Sequence, residues 1–131
     1  MRKQKTSSAR FIDNGDNTVT DTKTNLTWMK QDDGTRRTWK EAMAYCKKNE
    51  AKLPGKGWRL PTIEELFSLI DFKHFNPAIN PIFSCRSASY WSSTSHASYS
   101  GNAWDVFFGN GDVVSWGKGN NFFVRPVRQN S

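Results

Sequence analysis

The sequence predicts an α+β fold in which two short helices pack on a twisted antiparallel sheet. Three observations point there. Thr38-Trp39-Lys40-Glu41 and Thr62-Ile63-Glu64-Glu65 are capping boxes, each opening its own amphipathic segment. The stretches before the first box and after Tyr90 alternate with period two and are broken by Gly and Asn. The resulting order is strands, two helices, a long loop and strands again, which keeps helices apart from strands as α+β domains do.

Residues 1–10 read as a flexible basic tail and residues 11–131 as a single domain. Phe11-Ile12 and Thr18-Val19-Thr20-Asp21 form two short strands around an Asn14-Gly15 turn. Asp13 and Asn17 carry ligand-type oxygens, but Gly15 and Thr18 stand where a calcium loop needs other residues, so no metal is assigned. Asn25-Leu26-Thr27-Trp28-Met29 is a third strand. The first helix carries Trp39, Ala42, Met43 and Cys46 as one apolar stripe, with Lys40, Lys47 and Lys48 on the wet side, and ends near Asn49. The second carries Ile63, Leu66, Phe67 and Ile70. Asp71 to Arg86 holds Pro77 and Pro81 without periodicity and reads as a connecting loop. Strands follow at Tyr90–Ser93, Ala103–Phe108, Asp112–Trp116 and Phe122–Val127.

At 131 residues the chain can bury one core without help from a metal or several disulfides. Hydrophobic content is only 36%, but six Trp, nine Phe and three Tyr bury much area each. No run approaches the roughly 20 apolar residues of a membrane span. The basic opening lacks the apolar stretch of a secretory signal. The net charge of +7 is uneven. Residues 1–10 hold four bases and no acid, residues 11–60 ten bases and seven acids, residues 61–131 five of each. Cys46 and Cys85 lack histidines at zinc-ligand spacing, and either a disulfide or two buried thiols fits.

Strand alternation places a binding surface late in the chain. With Trp104, Val106 and Phe108 inward, Ala103, Asp105 and Phe107 face out. With Val113 inward, Asp112, Val114 and Trp116 share the outer face. Phe107, Val114 and Trp116 then form an exposed apolar group on a polar domain. Ser95, His96, Ala97, Ser98, Tyr99, Ser100 and Asn102 precede it, and Lys118, Asn120 and Asn121 follow. Small, polar, tyrosine-bearing loops of this kind suit adaptable recognition. A second candidate surface is the basic set Arg36, Arg37, Lys40, Lys47, Lys48, Lys52 and Lys56, which would hold anionic chains in a salt-dependent way.

Seven blocks in order match one known pattern. They are Asp13 to Asp21, Leu26-Thr27-Trp28, Trp39 with Ala42 and Cys46, Trp58-Arg59-Leu60-Pro61-Thr62, Tyr90-Trp91-Ser92-Ser93-Thr94, Ala103-Trp104 with Val106, Phe108 and Gly111, and Val124-Arg125-Pro126-Val127-Arg128. Over roughly residues 10–128 the chain resembles the C-terminal domain family of the Legionella collagen-like adhesin, a branch of the C-type-lectin-like superfamily. That superfamily also holds formylglycine-generating enzymes and the variable proteins of diversity-generating retroelements. The resemblance implies a C-type-lectin-like fold with its terminal strands paired, a cell-surface, secreted or phage-borne setting, and often a trimer. Trp58, Trp91 and Trp104 are expected in the core, with Arg59 tying loop carbonyls or a carboxylate such as Glu65.

In retroelement variable proteins, diversity arises at adenines, chiefly of asparagine codons. Ser95, His96, Ala97, Ser98, Tyr99, Ser100, Asp105, Phe107, Asp112 and Val114 are all reachable from AAC or AAT by changing adenines alone, and Trp116 is not. The leading expectation is therefore a non-enzymatic recognition domain with a variable C-terminal surface for a protein or glycan ligand, with no cofactor. The alternative is an adhesin of fixed specificity that binds sulfated or other anionic glycans through the basic face. The calcium-dependent sugar motifs Glu-Pro-Asn and Gln-Pro-Asp are absent. Enzymatic activity is not expected, because the cysteines are distant in sequence and His74 and His96 lack identifiable partners. The neutral C-terminal half argues against nucleic acid.

Overall fold

The structure, a computed structural model, describes residues 9–130. The tail assignment falls mostly on residues 1–8, outside the described residues. Arg10, which the sequence places in the tail, is anchored: its guanidinium grips the buried Asp21 carboxylate at 2.7 and 2.9 Å and donates to the Ser68 carbonyl. Nine elements follow: β1 (Phe11–Asp13), β2 (Thr18–Asp21), β3 (Leu26–Met29), α1 (Trp39–Lys47), α2 (Ile63–Phe67), β4 (Ser89–Ser95), β5 (Asn102–Phe107), β6 (Asp112–Gly117) and β7 (Val127–Gln129).

The expected α+β class holds, with two sheets in place of one. The first has the order β1-β2-β3-β7 and the second β4-β5-β6, all antiparallel. The stretch read as one strand, Phe122–Val127, is divided between them. Phe123 exchanges backbone hydrogen bonds with Ser89 and Trp91 beside β4, and β7 pairs with β3 only from Val127 onward. Pro126 lies between, its carbonyl accepting from Met29. The C-terminal strand thus joins the N-terminal sheet through β3, while β1 lies at the far edge.

Both capping boxes form as expected. Thr38 and Glu41 bond reciprocally at the start of α1, and Thr62 and Glu65 do so at α2. Glu65 also takes a two-pronged ion pair from Arg59 at 2.7 and 2.8 Å. Burial works to raise the Glu65 pKa, but the Arg59 and Thr62 hydrogen bonds outweigh it and hold the carboxyl below its usual range. Replacing Thr62 by alanine is expected to cost about 1 kcal/mol. For a domain of this size that lowers the melting temperature by a few degrees, which thermal unfolding would read.

Two helix stripes differ from expectation. In α1 the buried residues are Ala42, Tyr45 and Cys46, and Met43 is exposed. The inward face is turned so that the Tyr45 ring lies under the Arg37 guanidinium at 3.7 Å. In α2 only Leu66 is buried, and Phe67 is 48% exposed. The helix stops at Ser68, the chain turns into an isolated bridge between Ile70 and Ile79, and Leu69 takes the inward place. Trp58 and Trp91 are core as expected, Trp104 only half-buried.

The core is divided. One group gathers Val19, Trp28, Leu66, Ile79, Tyr90, Val106, Phe108 and Val127 between the two sheets and α2. Another gathers Ala42, Tyr45, Cys46, Leu60, Trp91 and Ala103 under α1. The sheet β4-β5-β6 therefore has apolar cover on both faces, which governs where a surface is left for a ligand.

Candidate functional site

Both helices fix β4 where it approaches the predicted surface. The pairing of β4 with β5 shifts between Trp91 and Ser95, leaving a bulge. Ser93 donates its amide to the Pro61 carbonyl, and Thr94 accepts from the Ile63 amide at the start of α2. From the other side the Trp39 indole donates to the Ser92 carbonyl at 2.9 Å. Beyond the bulge, residues 96–101 form a tight loop. His96 stacks on Trp104 with ring centroids 5.0 Å apart, and its Nδ1 accepts from the Ser98 amide. Tyr99 meets His96 edge-on and is 70% exposed.

The residues after β6 close the same end of the sheet. Lys118 spans the gap, its ammonium over the Trp39 ring at 4.1 Å and donating to the Ser95 hydroxyl at 2.8 Å. Asn120 folds back on the Gly117 carbonyl, and Asn102 pairs across from Gly117. Asn121 is exposed. Trp116, directly opposite Ala103, stands at the rim with 51% of its surface open. One end of the sheet thus brings together Ser95, His96, Ser98, Tyr99, Asn102, Trp116, Lys118 and Asn120.

Three predicted residues lie elsewhere. Phe107 and Asp112 face each other at the opposite end of the β5–β6 hairpin, about 13 Å along β6 from Trp116. Phe107 is half-buried, its ring lying where a Gly109 side chain would stand, and Asp112 is held by Asn110. Val114 is half-buried midway.

Asp105 corrects the strand reading more sharply. It is fully buried, between Trp91 of β4 and Val114 of β6, and neither carboxylate oxygen receives a hydrogen bond. Burial raises its pKa to about 7, opposed only by the Ser89 hydroxyl. Val113, expected in the core, is exposed. Each reversal has its own cause: Ala103 and Asp105 face the covered side under α1, and Val113 projects past the edge of the core beside Phe67.

The second predicted surface is partly preassigned. Arg37 is committed to Asp33 at 2.8 Å and to the Tyr45 ring. Arg36, Lys40, Lys47, Lys48, Lys52 and Lys56 are exposed, and none forms a salt bridge among the described residues. Both cysteines are free thiols in different core groups, and burial raises both pKa values. Among the described residues no group of His, Cys, Asp or Glu is arranged to hold a metal ion. No helix among the described residues is long and apolar enough to cross a membrane.

Sequence reasoning missed the part of Trp39 in bracing the loop end, because its place in a helical stripe gave it a sufficient role in the core. It also missed an apolar cleft between α2 and β6, lined by Ile63, Glu64, Phe67 and Val113. The signal for it was present in two residues, Phe67 and Val113, each assigned inward by periodicity.

A loop-bearing antiparallel sheet braced by two capped helices defines the domain as α+β. Within that class the chain belongs to the Lcl C-terminal domain family, whose profile matches residues 17–128. No curated protein matches the chain.

Proposed function

We propose that this is a non-enzymatic recognition domain on a C-type-lectin-like scaffold, contacting a protein or glycan ligand through the loop end of β4-β5-β6. Its surface would vary between copies, as in retroelement variable proteins. The observation that carries the reading is the pairing of exposed Trp116 and Tyr99 with short polar side chains on a base pinned by both helices. Rigid aromatic anchors among adaptable polar groups are how paratopes gain affinity without a deep pocket. The protonated thiols and the use of His96 Nδ1 within its own loop support a role without chemistry.

The test is to sequence the locus in sibling isolates, together with any nearby reverse transcriptase and a near-copy of the DNA for residues 90–128. Substitutions at 95–100, 107, 112 and 114 that track adenines in the copy support the variable surface. Asp105 should change far less than these, because it is buried. An unchanging segment without a copy overturns the variability. For recognition itself, Trp116→Ala is expected to weaken adhesion to a target surface at least tenfold while shifting stability by no more than about 0.5 kcal/mol. Unaltered adhesion would move the site away from this end.

The exposed set Arg36, Lys40, Lys47, Lys48, Lys52 and Lys56, without a salt bridge among the described residues, supports a second reading, a fixed adhesin for anionic glycans. On that reading the domain elutes from a heparin column at a salt concentration that falls when Lys40, Lys47 and Lys48 become glutamine.

A further inference from the structure

Strand β6 is the last in its sheet, and its outer side has no partner among the described residues. The Lys118 amide bonds the Gly101 carbonyl, so the alternation of an antiparallel ladder assigns Asp112, Val114 and Trp116 to bonding with β5. The amides and carbonyls of Val113 and Ser115 therefore point outward. Soluble proteins usually blunt such an edge with lysine, proline or a bulge. Residues 112–117, Asp-Val-Val-Ser-Trp-Gly, carry none of these within a β-prone run.

The edge also has a pocket beside it. Val113 projects toward α2, where Ile63, Glu64 and Phe67 complete an almost wholly apolar cleft of about 360 Å³. On the opposite face of the same strand stands exposed Trp116. The charges are one-sided here: Glu64 lines the cleft, Asp112 adjoins Val113 in the chain, and neither has a salt-bridge partner among the described residues.

We propose that β6 is a strand-addition site for an extended segment of a partner protein, one with apolar residues at alternate positions and a lysine or arginine beside them. Its backbone completes the Val113 and Ser115 hydrogen bonds. Its apolar side chain fills the cleft, and its cation meets Glu64 at the cleft wall. This mode combines main-chain affinity with pocket specificity. A second copy of this chain fits less well. Antiparallel edge pairing about Ser115 would set Gly117 against Val113 and leave the cleft unfilled. The site does not depend on what the loop end of the sheet binds.

The experiment uses the full chain and a phage-displayed library of random nine-residue peptides as the probe. Enriched peptides are expected to alternate apolar residues and carry Lys or Arg. They should slow hydrogen exchange of the Val113 and Ser115 amides. Ser115→Pro removes an outward amide without touching the β5 ladder, and Phe67→Lys fills the cleft with charge; each should weaken peptide binding at least tenfold. Thermal melts check that Ser115→Pro folds, and Phe67→Lys with the exchange data stands alone if it does not. Failure to enrich alternating peptides overturns the proposal. So does full binding to the folded variants, or protection confined to other amides. Concentration-dependent dimerisation blocked by Ser115→Pro, without peptide binding, would assign the edge to a second copy instead.

Discussion

Replacing Arg125 by methionine is expected to cost about 3–5 kcal/mol of folding stability. The side chain is completely buried, and among the described residues no carboxylate pairs with it. Its guanidinium donates instead to the carbonyls of Met29 and Lys30, each at 2.6 Å, and of Ser84 at 3.0 Å. The rings of Phe83 and Tyr90 lie about 5.3 Å from its carbon. One group therefore holds the end of β3, the long connecting loop and the C-terminal segment together. Methionine matches the volume but strands carbonyl oxygens away from water. Lysine keeps the charge, yet its single ammonium cannot span the same fork, so it should recover only part of the loss. A domain of this kind typically has 5–15 kcal/mol in total, so denaturant unfolding would show the change plainly. A loss below about 1 kcal/mol would mean that these carbonyls find water without Arg125.

Arg125 also marks where sequence reading stops. The residue stands in a conspicuous block, Val124-Arg125-Pro126, but its partners are backbone carbonyls 41, 95 and 96 positions away. Carbonyls leave no trace in residue identity. The capping boxes were legible for the opposite reason, since Thr38 with Glu41 and Thr62 with Glu65 are three residues apart and the side chains name the bond. Arg59 with Glu65 was within reach as a charge pair of short separation.

The strand faces were misread because alternation identifies a solvent face only when one side of a sheet is bare. Here α1 covers the side of Ala103 and Asp105, and α2 covers part of the other. Openness then depends on distance from the helices and not on parity. Trp116 and Tyr99 are exposed because they lie at an end, and Val113 because it lies at an edge. That is also why most of the predicted surface gathers at the loop end while Phe107 and Asp112 do not.

Asp105→Asn is expected to stabilise the domain at pH 8 by on the order of 4 kcal/mol and to leave it nearly unchanged at pH 4. The sign follows from which state holds the proton more tightly. In the unfolded chain the carboxyl titrates near its ordinary 3.8; in the fold, burial moves it to about 7 against only a small opposing pull from the Ser89 hydroxyl, which does not reach hydrogen-bond geometry. Below pH 3.8 both states are protonated and Asp105 contributes nothing. Between pH 4 and 7 the unfolded state loses its proton first, so stability falls as pH rises and levels off above 7. The packed elements present Trp91, Val114 and Ser89 to it, and no charged group contributes to its shift. Asp21, Asp33 and Glu65 act in the other direction. Burial opposes them, but Arg10, Arg37 and Arg59 hold their carboxyls low, so their stabilisation fades as pH falls through those depressed values. The wild-type profile should therefore peak in mildly acid solution, and the difference between wild type and Asp105→Asn isolates the one term that grows with pH. A difference that stays flat from pH 4 to 8 would mean that the ionised carboxylate gains a donor or water as it charges. The strip between Trp91 and Val114 would then have to open, and Asp105 would count among the groups a ligand can reach.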